Sequence, residues 1–153
     1  MRALRGAGLA EVARAAALDD RPFLGVCVGL QMLFEGSDES PEAEGLGVLE
    51  GRVGRLPETV KLPQIGWNTV DVRADSRLFA GVPSGSWLYF VHSYAPEPLD
   101  GAAAAWCEYG RRFTCAVERG SLWATQFHPE KSSVIGLRLL TNFVRACEAQ
   151  EAQ

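Results

Sequence analysis

Cys27 sits where a cysteine could act as a nucleophile. It lies in "LGVCVGLQ", with Gly25 and Gly29 two residues to either side. There an apolar, strand-like segment (Pro22 to Val26) gives way to Leu30, Leu33 and Phe34 at helical spacing. A glycine two residues before and two after a central side chain is the pattern of a tight strand-to-helix elbow. Flanking side chains would clash there, and the central one is pushed into a cleft. Free cysteine is otherwise among the most buried residue types, so a packed core thiol stands as the alternative. A cysteine nucleophile also needs a base and a group that orients the base. The chain has two histidines. His128 closes the apolar run "SLWATQF" and is followed by Pro129 and Glu130. In an extended segment residues i and i+2 project to the same side, which brings the Glu130 carboxylate within reach of the imidazole. His92, in "YFVHSYA", has no acidic residue nearer than Glu97. His128 is therefore the better candidate for the base.

Composition limits what such a site could serve. The 153 residues fit one domain, 1–153, with 47% apolar and 22% charged residues, an ordinary globular balance. The net charge of −4 and the lack of a basic cluster argue against a nucleic-acid or anionic-membrane surface. No apolar run approaches a membrane span, and the N-terminus lacks the basic-then-apolar layout of a signal peptide, so a cytoplasmic location is expected. The four cysteines, at 27, 107, 115 and 147, show neither CxxC spacing nor clustering with the histidines. No zinc site and no cofactor are expected, and Cys107, Cys115 and Cys147 are read as core thiols.

The elements that must position the site are legible in outline. Residues 2–18 are alanine-rich and helical in pattern, weakened by Gly6 and Gly8. After the elbow comes an acidic loop with five carboxylates between Glu35 and Glu44. From 47 to about 127 the chain reads as a series of strands separated by turn residues such as Pro83, Gly85, Pro98 and Gly120. A closing helix over 132–148 carries Ile135, Leu139, Leu140, Phe143, Val144 and Cys147 as one apolar stripe. The expected class is α/β, with helices at both ends and a strand-rich middle.

Taken together, "GVCVGLQ" and "ATQFHPEKS" closely resemble the two signatures of the class I (triad) glutamine amidotransferases. "FEGSDE", "GLGVLEGRV", "KLPQIGWN" and "YFVHSYAPE" narrow the resemblance to the glutaminase subunits of imidazole glycerol phosphate synthase, over about residues 1–148. The resemblance implies a doubly wound sheet with a nucleophile elbow. It also implies hydrolysis of L-glutamine to glutamate and ammonia by a Cys27–His128–Glu130 triad. Val28 would supply an oxyanion N–H, while Gln31, Ser93, Tyr94 and Glu39 would contact the substrate. Trp67, Tyr89 and Lys131 fall in motifs the family uses near its partner, a cyclase subunit of (β/α)8 barrel fold that takes the ammonia in a heterodimer. For the two aromatics ordinary core packing is the alternative, and for Lys131 and Glu39 a solvated charge. Family members carry strand–helix units and a Pro-Gly-x-Gly loop ahead of the segment that starts here at Met1, so the chain is expected to lack the N-terminal units of that fold. Two other readings stay open: a triad amidotransferase of another pathway, and a non-catalytic partner-binding chain.

Overall fold

A computed structural model describes residues 1–152. In chain order it contains α1 (Arg2–Gly6), α2 (Ala10–Leu18), β1 (Phe23–Val26), the short α3 (Val28–Gln31), β2 (Gly36–Ser37) and β3 (Arg52–Arg55). There follow β4 (Gln64–Val72), β5 (Trp87–His92), β6 (Tyr94–Pro96), β7 (Ala103–Glu108), β8 (Arg112–Arg119) and β9 (Leu122–Thr125). A 3₁₀ turn (Pro129–Lys131) then leads into α4 (Ser133–Glu151). The single N-terminal helix expected over 2–18 is two helices. The break holds Gly8 at φ 69, a left-handed conformation that glycine adopts without steric cost.

The main sheet has six strands in the order β1-β9-β8-β7-β4-β5. Its parallel character is concentrated in β1 and β9, which run in register from Phe23↔Leu122 to Val26↔Thr125. The other four pairings are antiparallel. A smaller sheet, β2-β3-β6, lies beside it.

Successive strand residues face opposite ways, and β9 shows both faces at work. Trp123 joins a core with Phe90, Phe113, Phe127 and Leu139 of α4, whereas Leu122 and Ala124 join one with Leu30, Leu33, Phe34 and Ala17 of α2. All four β9 residues are buried, as they are in a strand covered on both faces.

α4 packs with Ile135, Gly136, Leu139, Asn142 and Phe143 toward the sheet. Val144, expected in the apolar stripe, is exposed, and Cys147 is half-buried rather than core. The position that periodicity overlooks is Asn142. Its buried amide donates to the carbonyls of Leu78 and Ala80, both 2.9 Å away. Gly136 permits the close approach, since a Cβ there would stand 1.8 Å from the Pro129 carbonyl oxygen.

Candidate active site

Because β1 and β9 are parallel neighbours, the residues just past their C-terminal ends meet at one edge of the sheet. That is where open α/β sheets bind ligands. Cys27 follows β1 and donates its N–H to Thr125 O at 2.7 Å, while His128 lies three residues past the end of β9.

Cys27 has φ 55 and ψ −108, a conformation that residues with a Cβ seldom adopt. Gly25 explains part of the elbow: a Cβ there would meet the backbone C and O of Gly29 at 3.0 Å. Gly29 itself carries no such constraint, because its own Cβ would have nothing within 4 Å. The symmetric steric requirement implied by the sequence pattern thus holds only for the first glycine.

The helix after Cys27 is one turn long. Burial pushes the Cys27 thiol above its ordinary range. The Val28 N–H and the Lys131 charge pull it down, and the Glu130 and Glu39 charges push it up. Burial thus favours the neutral thiol over the thiolate, and a base beside the sulfur works against that preference.

His128 Nδ1 lies 2.7 Å from Glu130 Oε1. The contact expected for an extended segment is made instead by a tight turn, since Pro129–Lys131 is 3₁₀. Two bonds fix this turn to β5, His128 N–H donating to Tyr89 O at 2.9 Å and Ser132 Oγ receiving Tyr89 N–H at 2.9 Å, and a third closes the turn itself, the Ser132 hydroxyl donating to His128 O at 2.6 Å. Ser132 is fully buried. In the sequence it is no more than the first residue of the last helix.

His92 is placed quite differently. It is buried, with Nδ1 2.8 Å from Tyr94 O and Nε2 2.9 Å from the Gln64 side-chain amide. Burial lowers its pKa to about 4. A ring that burial keeps neutral, with Nδ1 donating to Tyr94 O, is an internal strut rather than a base for Cys27.

The other candidate residues divide into two groups. Val28, Gln31 and Glu39 line one groove of about 450 Å³ together with Met32 and Ser37. Gln31 spends both amide protons inside the chain, on Tyr94 O at 2.9 Å and Gln126 Oε1 at 3.0 Å, which leaves its own Oε1 to offer a ligand. The Ser93 carbonyl accepts from Leu56 N–H at 2.9 Å, so the carbonyls of Ser93 and Tyr94 are both in use.

Trp67 and Tyr89 form the second group. They are directly paired on β4 and β5, with ring centroids 5.9 Å apart in an edge-on arrangement. Core packing does not describe Trp67, which is 48% exposed; Ile65 and Trp87 on the same sheet face are 62% and 58% exposed. Lys131 is exposed next to this face, because its turn hangs on Tyr89. Gln126 looks in the sequence like one more residue of an apolar strand. It is wholly buried, with Nε2 3.8 Å from Cys27 Sγ. Among the described residues no three His, Cys, Asp or Glu side chains cluster as metal ligands, and no helix is long and apolar enough to cross a membrane.

A strained cysteine on a strand-to-helix elbow, beside a His–Glu pair from the neighbouring parallel strand, is the arrangement of a cysteine-based acyl-transfer site. The family model "Glutamine amidotransferase class-I" matches residues 4–147. A solved glutamine amidotransferase from Thermotoga maritima shares the fold, with a TM-score of 0.60 at 19% identity over 94% of this chain and 56% of that one. The chain belongs to the class-I glutamine amidotransferases. Within that family it stands with the imidazole glycerol phosphate synthase subunits HisH. It is 49% identical to the HisH protein of Symbiobacterium thermophilum over 95% of this chain and 69% of the relative. With that of Methanocaldococcus jannaschii it shares 46% identity over 83% and 65%. The chain spans about two thirds of the length of the curated relatives it matches.

Proposed function

We propose that this chain hydrolyses the side-chain amide of L-glutamine and delivers the ammonia to a cyclase subunit, in the synthesis of imidazole glycerol phosphate and AICAR for histidine biosynthesis. The observation that carries the reading is the 2.7 Å His128–Glu130 contact, set at the end of the strand next to the one that presents Cys27. His128 takes the thiol proton as the sulfur bonds to the amide carbon, and the same proton goes to the departing nitrogen. Ammonia leaves and a thioester remains. Water then adds to the thioester with His128 again as base, and the collapse returns the thiol and releases glutamate. Glu130 holds the imidazole in the required tautomer and offsets its charge while protonated. Val28 N–H, which acts on the sulfur, would donate to the oxyanion that forms beside it. In the groove, Gln31 Oε1 would accept from the substrate, and the Glu39 carboxylate would meet its α-ammonium group.

The partner reading rests on the exposed apolar face of β4 and β5. Ile65, Trp67, Trp87 and Tyr89 lie there together, and Lys131 borders it. A surface of this kind next to a site that releases a small neutral product suits a docked acceptor enzyme. The reading takes that enzyme to be a (β/α)8 barrel cyclase that binds as a heterodimer in the cytoplasm. No nucleic acid, membrane, metal or cofactor takes part.

The test is glutamate release from L-glutamine with the cyclase subunit present. Activity that disappears in Cys27→Ser supports the reading. Undiminished release from Cys27→Ser contradicts it.

A further inference from the structure

The buried polar side chain nearest the nucleophile has no part in the proton transfers of glutamine hydrolysis. Gln126 follows β9 and is fully buried, yet it carries an amide where a leucine or methionine would fill the same space. Burying an amide is costly unless its donors and acceptor are used. Its oxygen accepts from Gln31 Nε2 at 3.0 Å, and its nitrogen lies 3.8 Å from Cys27 Sγ. The orientation is determined by the first contact. Gln31 presents N–H protons, so the Gln126 oxygen must turn toward Gln31 and its NH₂ toward the sulfur.

Gln31 is itself anchored. Its second proton goes to Tyr94 O at 2.9 Å, and His92 Nδ1 meets the same carbonyl at 2.8 Å. His92 Nε2 ends the series 2.9 Å from the Gln64 side-chain amide. A continuous hydrogen-bond network, buried at Gln64, His92 and Gln126 and half-buried at Tyr94 and Gln31, thus links β4 to the sulfur of Cys27.

We propose that Gln126 is a positioning residue for the nucleophile, donating an oriented amide N–H to the Cys27 sulfur and favouring its ionised form. A donor bonds more strongly to a charged acceptor than to a neutral one, so this contact stabilises the thiolate more than the thiol. It works against burial, which disfavours the thiolate. The charged groups facing the sulfur are Glu130 and Glu39, which also disfavour it, and Lys131, which favours it alongside the Val28 N–H. The inference rests on the proposed function only in taking Cys27 as the reacting group.

The test reads the sulfur itself, with no turnover. The whole chain is alkylated with iodoacetamide across a pH series, and the rate at Cys27 is followed by peptide mass spectrometry, which separates it from Cys107, Cys115 and Cys147. Gln126→Met, similar in volume but without a donor, should raise the alkylation midpoint by about one unit. Gln31→Met, which leaves the Gln126 amide free to turn, should raise it by less. In the unsubstituted chain, the side-chain amide ¹⁵N–H resonances of Gln126 should titrate with the Cys27 midpoint. A folded Gln126→Met chain with an unchanged midpoint overturns the proposal. So does a Gln126 amide that ignores the titration, and that measurement needs no variant to fold. A midpoint raised in Gln126→Met, with an unsubstituted chain that fails to turn over glutamine in the presence of the cyclase, would leave the inference standing and count against the proposed function instead.

Discussion

Replacing Cys27 by glycine should make the protein more stable than replacing it by alanine, the reverse of the usual order. At φ 55 and ψ −108 the residue is held where a Cβ is unwelcome, and such positions cost of order 1–3 kcal/mol. Alanine keeps the Cβ and so keeps the strain. Glycine removes it, but glycine also loses more backbone freedom on folding, which costs about 0.5–1 kcal/mol. The net advantage of Cys27→Gly over Cys27→Ala is then centred near about 1 kcal/mol, within a span of about 0–2.5 kcal/mol. For a chain of this size about 1 kcal/mol corresponds to a thermal midpoint higher by roughly 2–4 °C. Urea unfolding of both variants at neutral pH gives the difference directly. Both lack the thiol, so neither should release glutamate, and the comparison isolates the backbone. A Cys27→Gly variant that is less stable than Cys27→Ala by the ordinary glycine penalty would refute the claim that the elbow stores strain.

Stability should fall as pH drops below 6.5. Between 6.5 and about 4 the unfolded chain protonates His92 while the folded chain does not, a loss of about 3 kcal/mol across the window; His92→Asn should flatten that slope in urea titrations. The decline should continue below 4.5, where Glu118 takes a proton. Burial alone would raise its carboxyl, but bonds from Ser76, Leu78 and Arg77 hold it low in the folded state, so its contribution is present above 4.5 and lost as pH falls through the lower folded value. Glu130→Gln should lower glutamine turnover about ten- to a hundredfold, because the 2.7 Å bond is charge-assisted but the carboxylate is half exposed. His128→Ala should cost more, since it removes the proton carrier; near-normal turnover in His128→Ala with a dead His92→Asn would mean that the base is misassigned. Trp67→Ala should leave folding intact and weaken cyclase binding at least about tenfold by titration calorimetry, and unchanged affinity would remove the β4–β5 face from the interface.

The pieces of the site that the sequence exposes are the ones whose chemistry is local. Cys27 between its glycines, and Glu130 two residues after His128, are near neighbours in the chain, and the structure keeps both relations. The means can still differ: Glu130 reaches the imidazole through a 3₁₀ turn, because Pro129 opens one, rather than along a strand. What the sequence hides is non-local. The parallel pairing that brings β1 beside β9 follows from which faces are buried, and only the assembled sheet fixes that. Gln126 and Ser132 look like incidental polar residues in apolar surroundings, yet one touches the sulfur and the other locks the His128 turn to β5. The raised Cys27 thiol is hidden for the same reason, since burial is a property of the packed site. Alternation alone could not tell that Tyr89 faces out and Phe90 in, because β5 carries apolar side chains on both faces, Trp87, Tyr89 and Val91 on one and Leu88 and Phe90 on the other.

The central claim is that Cys27 is the glutamine-directed nucleophile. A glutamine analogue carrying an electrophile at the side-chain carbonyl position, added to the chain and followed by peptide mapping, addresses it most directly. A single adduct on Cys27 is predicted, protected by L-glutamine and abolished by Cys27→Ser. Modification of Cys107, Cys115 or Cys147 with Cys27 left untouched would contradict it.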